Sequence, residues 1–184
     1  MKILLGAFVG AILAFAVGAV VWGFAQVHRD HMHAVPNGEQ VKAALTGAKH
    51  GVYVMPEWPA PDAKEDAMKA FSEKYKSGPL IYMVVDPDGN SGSEGAMYGK
   101  GFAVHFAAAL VLALLVAFAG IGSFVKRWIF VVLVAVFAAV YDAGVDWNYW
   151  FAPSDWAVRM LVTNVATWAI GGLGIAYFVK PASD

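Results

Sequence analysis

The sequence predicts a mainly α fold: a four-helix transmembrane bundle with a small α+β extracytoplasmic domain inserted between helices 1 and 2. Three observations carry this. Of 184 residues, 59% are hydrophobic and 15% charged, a balance outside that of ordinary soluble domains, so lipid must be the solvent for much of the chain. Three apolar runs, Ile3 to Ala25, Gly101 to Val125 and Trp156 to Val179, reach the roughly 20 residues that cross a bilayer core. A fourth, Trp128 to Trp150, reaches that length once Asp142 and Asp146 are counted in. Between the first and second runs the chain is polar enough for a folded, water-exposed unit.

The first helix is placed at residues 1–26. Lys2 followed by an apolar run and Gly23-Phe24-Ala25 also resembles a secretory signal, but the run exceeds the roughly 7–15 residues of a signal core, so a retained helix is expected. Residues 27–100 form the inserted domain. Within it, Val41, Ala44 and Leu45 share one helical face behind Asn37, the expected cap. Gly51 to Met55 is a strand candidate stopped by Pro56 and Pro59. From Asp62 to Lys76, Met68, Phe71 and Tyr75 recur at helical spacing, with acidic residues in the first turn and Lys74 and Lys76 in the last, as the helix dipole favours. Leu80 to Val85 is a second strand candidate, closed by the turn Asp86-Pro87-Asp88-Gly89. Two strands are marginal alone, so this domain is expected to lean on the bundle, on a partner, or on both. Asp88 to Gly95, rich in Gly and Ser, is expected to be a mobile loop.

The remaining helices are placed at 101–125, 128–150 and 156–179, with Asp146 to Pro153 as a tight turn between the last two. Trp22, Trp128, Trp147, Trp150, Trp156 and Tyr177 fall near predicted ends, where amphipathic rings meet both lipid and water. Lys2, Lys126-Arg127 and Lys180 share one side of a four-span arrangement, the side expected to be cytoplasmic; Arg29, Lys100 and Arg159 flank the other. Residues 27–100 are therefore expected on the periplasmic side of a bacterial inner membrane.

Several pieces, in this order, resemble a widespread group of uncharacterised bacterial four-span membrane proteins. They are Val21-Trp22-Gly23, His31-Met32-His33-Ala34-Val35-Pro36, Gly51 to Pro56, Gly78-Pro79, and Trp147-Asn148-Tyr149-Trp150 before Pro153. The resemblance spans most of the chain and implies the same architecture. It implies no catalytic or binding residues, because the group carries no established activity.

Cysteine is absent, which excludes a disulfide framework, c-type haem attachment and cysteine-ligated metal centres. A net charge of -1 without a basic cluster gives no electrostatic case for nucleic acid. Two constellations remain. His28-Arg29-Asp30-His31-Met32-His33 follows the first helix, and His28, His31 and His33, joined by His105, are candidate ligands for copper or zinc. A solvated stretch at the headgroup level is the competing reading. The second constellation is an intramembrane polar cluster of His105, Asp142, Asp146, Arg159 and Asn164, with Asp142 expected to face His105 and Asp146 to face Arg159, as a structural latch or as a functional site. A b-type haem would need His105 paired with His28 or His31. A quinone or lipid site beside Trp147 to Trp150 and Asp142 has no motif behind it.

Gly6-x-x-x-Gly10 and Gly171-Gly172-Leu173-Gly174 mark faces for close helix packing. No Walker, GxSxG, HExxH or dinucleotide-binding motif is present, and nothing repeats as in many secondary transporters. The function expected is a non-enzymatic accessory or scaffold subunit of a bacterial membrane complex. Its partners would be membrane lipids and other membrane-protein subunits or further copies of itself. Periplasmic-face handling of copper or zinc is the alternative.

Overall fold

A computed structural model describes residues 1–89 and 92–181. Four helices are long and apolar enough to cross a membrane: Lys2–Phe24, Glu94–Phe118, Phe124–Tyr149 and Ser154–Phe178. The chain divides into two units, one formed by these helices and one by Ala34–Ser91.

In the helical unit, α1 (Lys2–Gly18) widens into a π-helical turn over Ala19–Phe24, where the Ala25 amide reaches back to the Val20 carbonyl at 2.7 Å. The next long helix, α4 (Glu94–Phe118), begins well before its apolar run because the Ser93 hydroxyl caps it, accepting from the Ala96 amide at 3.2 Å. It also ends sooner than its run of apolar residues. Gly120, with φ +61°, turns the chain out of the helix, and α5 (Phe124–Tyr149) starts shortly after. α6 (Ser154–Phe178) follows a reversal in which Phe151 takes φ +59° and the Ala152 amide bonds to the Asp146 carbonyl at 3.0 Å. The end where α1 and α5 finish is called the upper end below.

The helices pack in the order α4, α1, α6, α5, with only sparse contact between α4 and α5. Glycine sets the central α1–α6 crossing. A Cβ added to Gly171 would lie 2.9 Å from the Gly10 carbonyl oxygen, and one on Gly174 would lie 3.0 Å from the Gly10 amide nitrogen. Helices without a hydrophobic force between them associate through such close backbone approach. The Gly6 and Gly10 face of α1 thus meets the glycine cluster of α6. Around the crossing, Ala7, Ala11, Leu112, Val116, Val131 and Ile175 form the buried core.

Arg127 completes the lower end. The Lys126-Arg127 pair reads as a flank in sequence, yet Arg127 is only 3% exposed. Its Nε donates to the Ala176 carbonyl at 2.9 Å, and its Nη1 to the carbonyls of Ile121, at 3.0 Å, and Gly122. Helix C-terminal carbonyls lack intrahelical partners, so one guanidinium serves the last turn of α6 and the loop after α4 together. One residue on, the Trp128 indole donates to the Ala169 carbonyl at 2.8 Å and ties α5 to α6 a second time.

The smaller unit contains α2 (Gly38–Ala44), α3 (Glu65–Ser77) and an antiparallel pair, β1 (Gly51–Met55) and β2 (Ile81–Val85), in which Val52 stands opposite Val84 and Val54 opposite Tyr82. The expected turn forms: Gly89 has φ +64°, and the Asp88 amide bonds to Asp86 Oδ1 at 3.3 Å. Of the loop expected at Asp88 to Gly95, Asn90 and Ser91 lie outside the described residues. Among the described residues of this unit only Pro56 is buried, and one sheet face is bare, with Val52 59% and Val84 65% exposed.

Candidate functional site

Polar side chains concentrate where the tract after α1 folds onto the first turns of α6. Beyond the π-helical turn the chain reverses at Gln26, with φ +48°, and makes one 3-10 turn over Arg29–His31. This lays His28 against α6. The imidazole is 1% exposed, its ring centre 4.2 Å from that of Trp22 and 5.6 Å from that of Trp156. His28 Nε2 lies 3.3 Å from the Thr163 hydroxyl, whereas Nδ1 is buried and has no hydrogen-bond partner among the described residues. Two further contacts fasten the same seam: Arg159 Nη1 donates to the Val27 carbonyl at 3.0 Å, and His31 Nδ1 lies 2.9 Å from the Asp155 carboxylate. Tract and helix are thereby clasped through a stacked ring, a hydroxyl, a guanidinium and a carboxylate. Beside the clasp, Trp22, Gln26, His28, Arg29 and Met32 line a shallow cavity of about 370 Å³.

Burial holds the His28 pKa below the ordinary histidine value near 6.5, with the positive charge of Arg159 and then His31 adding to the effect. A depressed folded-state pKa means that the unfolded chain takes up this proton first as the pH falls. The stability contributed by neutral His28 is complete above about pH 6.5 and is lost progressively below it. His28→Phe keeps an aromatic ring between the two tryptophans and removes the titration. Thermal unfolding followed from about pH 7.5 down to about pH 5 should show a smaller fall in midpoint for this variant than for the wild type. An equal fall in both would remove His28 as its source.

The histidines named from the sequence go to different partners. His28 takes Thr163, His31 takes Asp155, and His33 is exposed. His105 sits on α4 between Phe15, at 5.5 Å edge-to-face, and Trp168, stacked at 6.2 Å. Its Nδ1 donates to the Gly101 carbonyl at 2.8 Å, since a carbonyl can only accept. Among the described residues no group of three or more His, Asp or Glu side chains converges as a metal site requires.

The two pairings expected inside the membrane do not form. Asp142 and Asp146 are exposed on α5 and make no ion pair among the described residues. Lateral order and height both explain this. α4 and α5 flank the α1–α6 pair on opposite sides, which separates Asp142 from His105. Gly172 lies against Val131, so Trp168, one turn above it, is level with about Ala135, and Asp142 stands roughly two turns, about 10 Å, higher than His105. Arg159 is turned across α6 to Val27 rather than toward Asp146. Asn164 is half-buried on α6.

The sequence did not point to Thr163, Asp155 or Trp156 as partners of the histidine tract. They lie more than a hundred residues away from it, and no fixed spacing links a juxtamembrane tract to a helix that returns so late in the chain. The tryptophans were legible only as interface residues. No family model, curated protein or solved structure matches the chain, so the clasp is defined by this chain's own geometry.

Proposed function

We propose that the chain is a non-enzymatic accessory or scaffold subunit of a bacterial inner-membrane complex, anchored by its four helices, with residues 34–91 on the periplasmic side as the surface that a partner covers. The single observation behind this reading is the composition of the smaller unit. It carries a bare, β-branched sheet face at Val52, Val54 and Val84 and only one buried residue among those described. A two-stranded sheet is marginal without a third layer, and exposed apolar patches of this kind mark surfaces meant for contact. Membrane anchoring favours such a contact by holding the domain at high local concentration beside its partner.

Two measurements test the reading. Extraction from native membranes in a mild detergent should give a complex with a stoichiometric second protein; a chain that migrates alone would count against it. Limited trypsin treatment should cut purified chain at Lys42, Lys64 or Lys74, which lie on exposed α2 and α3 and at the start of α3, while the same sites resist in native membranes. Equal cleavage in both settings would leave the domain without a covering partner.

A further inference from the structure

A cavity lies within the smaller unit, apart from the bare sheet face. It measures about 690 Å³, within the range of small-molecule pockets. Val41 of α2 and Leu45 just after it form one aliphatic wall, and Val85 at the end of β2 with Pro87 forms the other. Two charges line it: Lys42 and Asp86.

We propose that this cavity binds a small zwitterion with an aliphatic side chain, of the class of a branched-chain amino acid or a short apolar peptide. The lining supplies one group for each part of such a molecule. Val41, Leu45 and Val85 are half-buried around the space, so an aliphatic group placed there removes their remaining apolar surface from water. Lys42 makes no ion pair among the described residues, which leaves its ammonium for a carboxylate. Asp86 is held in position: its Oδ1 accepts from the Asp88 amide at 3.3 Å and faces His50 Nδ1 at 3.7 Å. Its Oδ2 is left to accept from a ligand's ammonium.

A ligand that binds only the folded form of the unit stabilises it by mass action. The site is independent of the partner surface. A ligand would occupy the gap between α2 and the end of β2, whereas the exposed valines lie on the other face of the sheet, because residues alternate along a strand.

The test uses the full chain in lipid nanodiscs, with leucine, leucinamide and N-acetylleucine as probes in isothermal calorimetry. Leucine should bind, and the two derivatives, each lacking one charge, should bind at least about tenfold more weakly, as expected when a charged group loses its partner. Lys42→Gln and Asp86→Asn, both at exposed positions, should each weaken leucine by a similar factor. Hydrogen exchange at the α2 amides should slow when leucine is added to the wild type. The proposal is overturned if no probe gives heat up to about 10 mM, if all three bind alike, or if both variants bind leucine as the wild type does.

Discussion

Gly171→Leu should abolish the folded bundle. The α1–α6 crossing is closed by backbone rather than by side chains: a Cβ on Gly171 falls 2.9 Å from the Gly10 carbonyl oxygen and 3.1 Å from the Ala14 methyl. A carbonyl oxygen in the middle of a helix cannot swing aside, so any side chain here forces the helices apart. Overpacking in a well-packed core costs about 1–3 kcal/mol where side chains can adjust, and Gly171→Ala should reach that range. Leucine adds three more carbons against the same obstacle, and parting α1 from α6 also opens the core around Ala11 and Ile175. The expected readout is loss of the monodisperse peak in size-exclusion chromatography for Gly171→Leu, and a clearly lowered unfolding midpoint for Gly171→Ala. Gly144→Ala is the control, since a Cβ there meets nothing within 4 Å, and its midpoint should stay within the small changes typical of open surface positions. A Gly171→Leu protein that purifies and unfolds like the wild type would show that the two helices do not cross at this point.

Arg127→Met should destabilise the bundle by about 1–3 kcal/mol, the cost of leaving buried hydrogen-bonding groups without their partner. The methionine fills much of the volume, so the loss comes from hydrogen bonding. Without the guanidinium, the carbonyls of Ala176, Ile121 and Gly122 lose their donor together. Arg127→Lys is the informative companion. A lysine keeps the charge but presents a single ammonium instead of a planar fork, so it should recover only part of the loss. Denaturant titration of the wild type and both variants would order them, wild type above lysine above methionine. Equal stability in all three would mean that the charge and its three bonds contribute nothing to holding α5 against α6.

The carbonyls that Arg127 serves also show why its role was hidden in the sequence. Next to Lys126 and just outside an apolar run, it has the appearance of an ordinary flanking cation. Its burial depends on Gly120 turning the chain out of α4 early, which brings the Ile121 and Gly122 carbonyls back over the start of α5. The glycine faces were more legible. Both read as packing surfaces from their spacing within apolar helices, because a glycine there has few reasons to be present other than close approach. What the spacing could not say was that these two faces meet each other.

The polar cluster marks the other boundary of what was legible. His105, Asp142, Asp146 and Arg159 form one cluster in the sequence only if the apolar runs that carry them begin at one height. α4 instead begins at Glu94, extending its helix above Gly101, and His105 lies lower in the bundle than counting from Gly101 would place it. For the histidine tract, the residues that end up beside it were present in the sequence without any periodic relation to it, and only folding chose Thr163 for His28 and Asp155 for His31.

The sequence by itself determined the four apolar helices, the two short strands and the polar unit between the first and second spans. These follow from local physics: the length needed to cross a hydrocarbon layer, the period of apolar residues, and the turn chemistry of Pro, Gly and Asp. Tertiary structure alone decided which helix lies beside which, at what height, and therefore which side chains meet. That choice rests on steric fit between distant segments, where a glycine of α1 admits α6, an arginine of α5 serves the carbonyls of two other segments, and a histidine beyond α1 is enclosed by tryptophans at the ends of two helices. Contacts between residues so far apart in the chain leave no spacing to be read, because the intervening loops can bring the same faces together in more than one order.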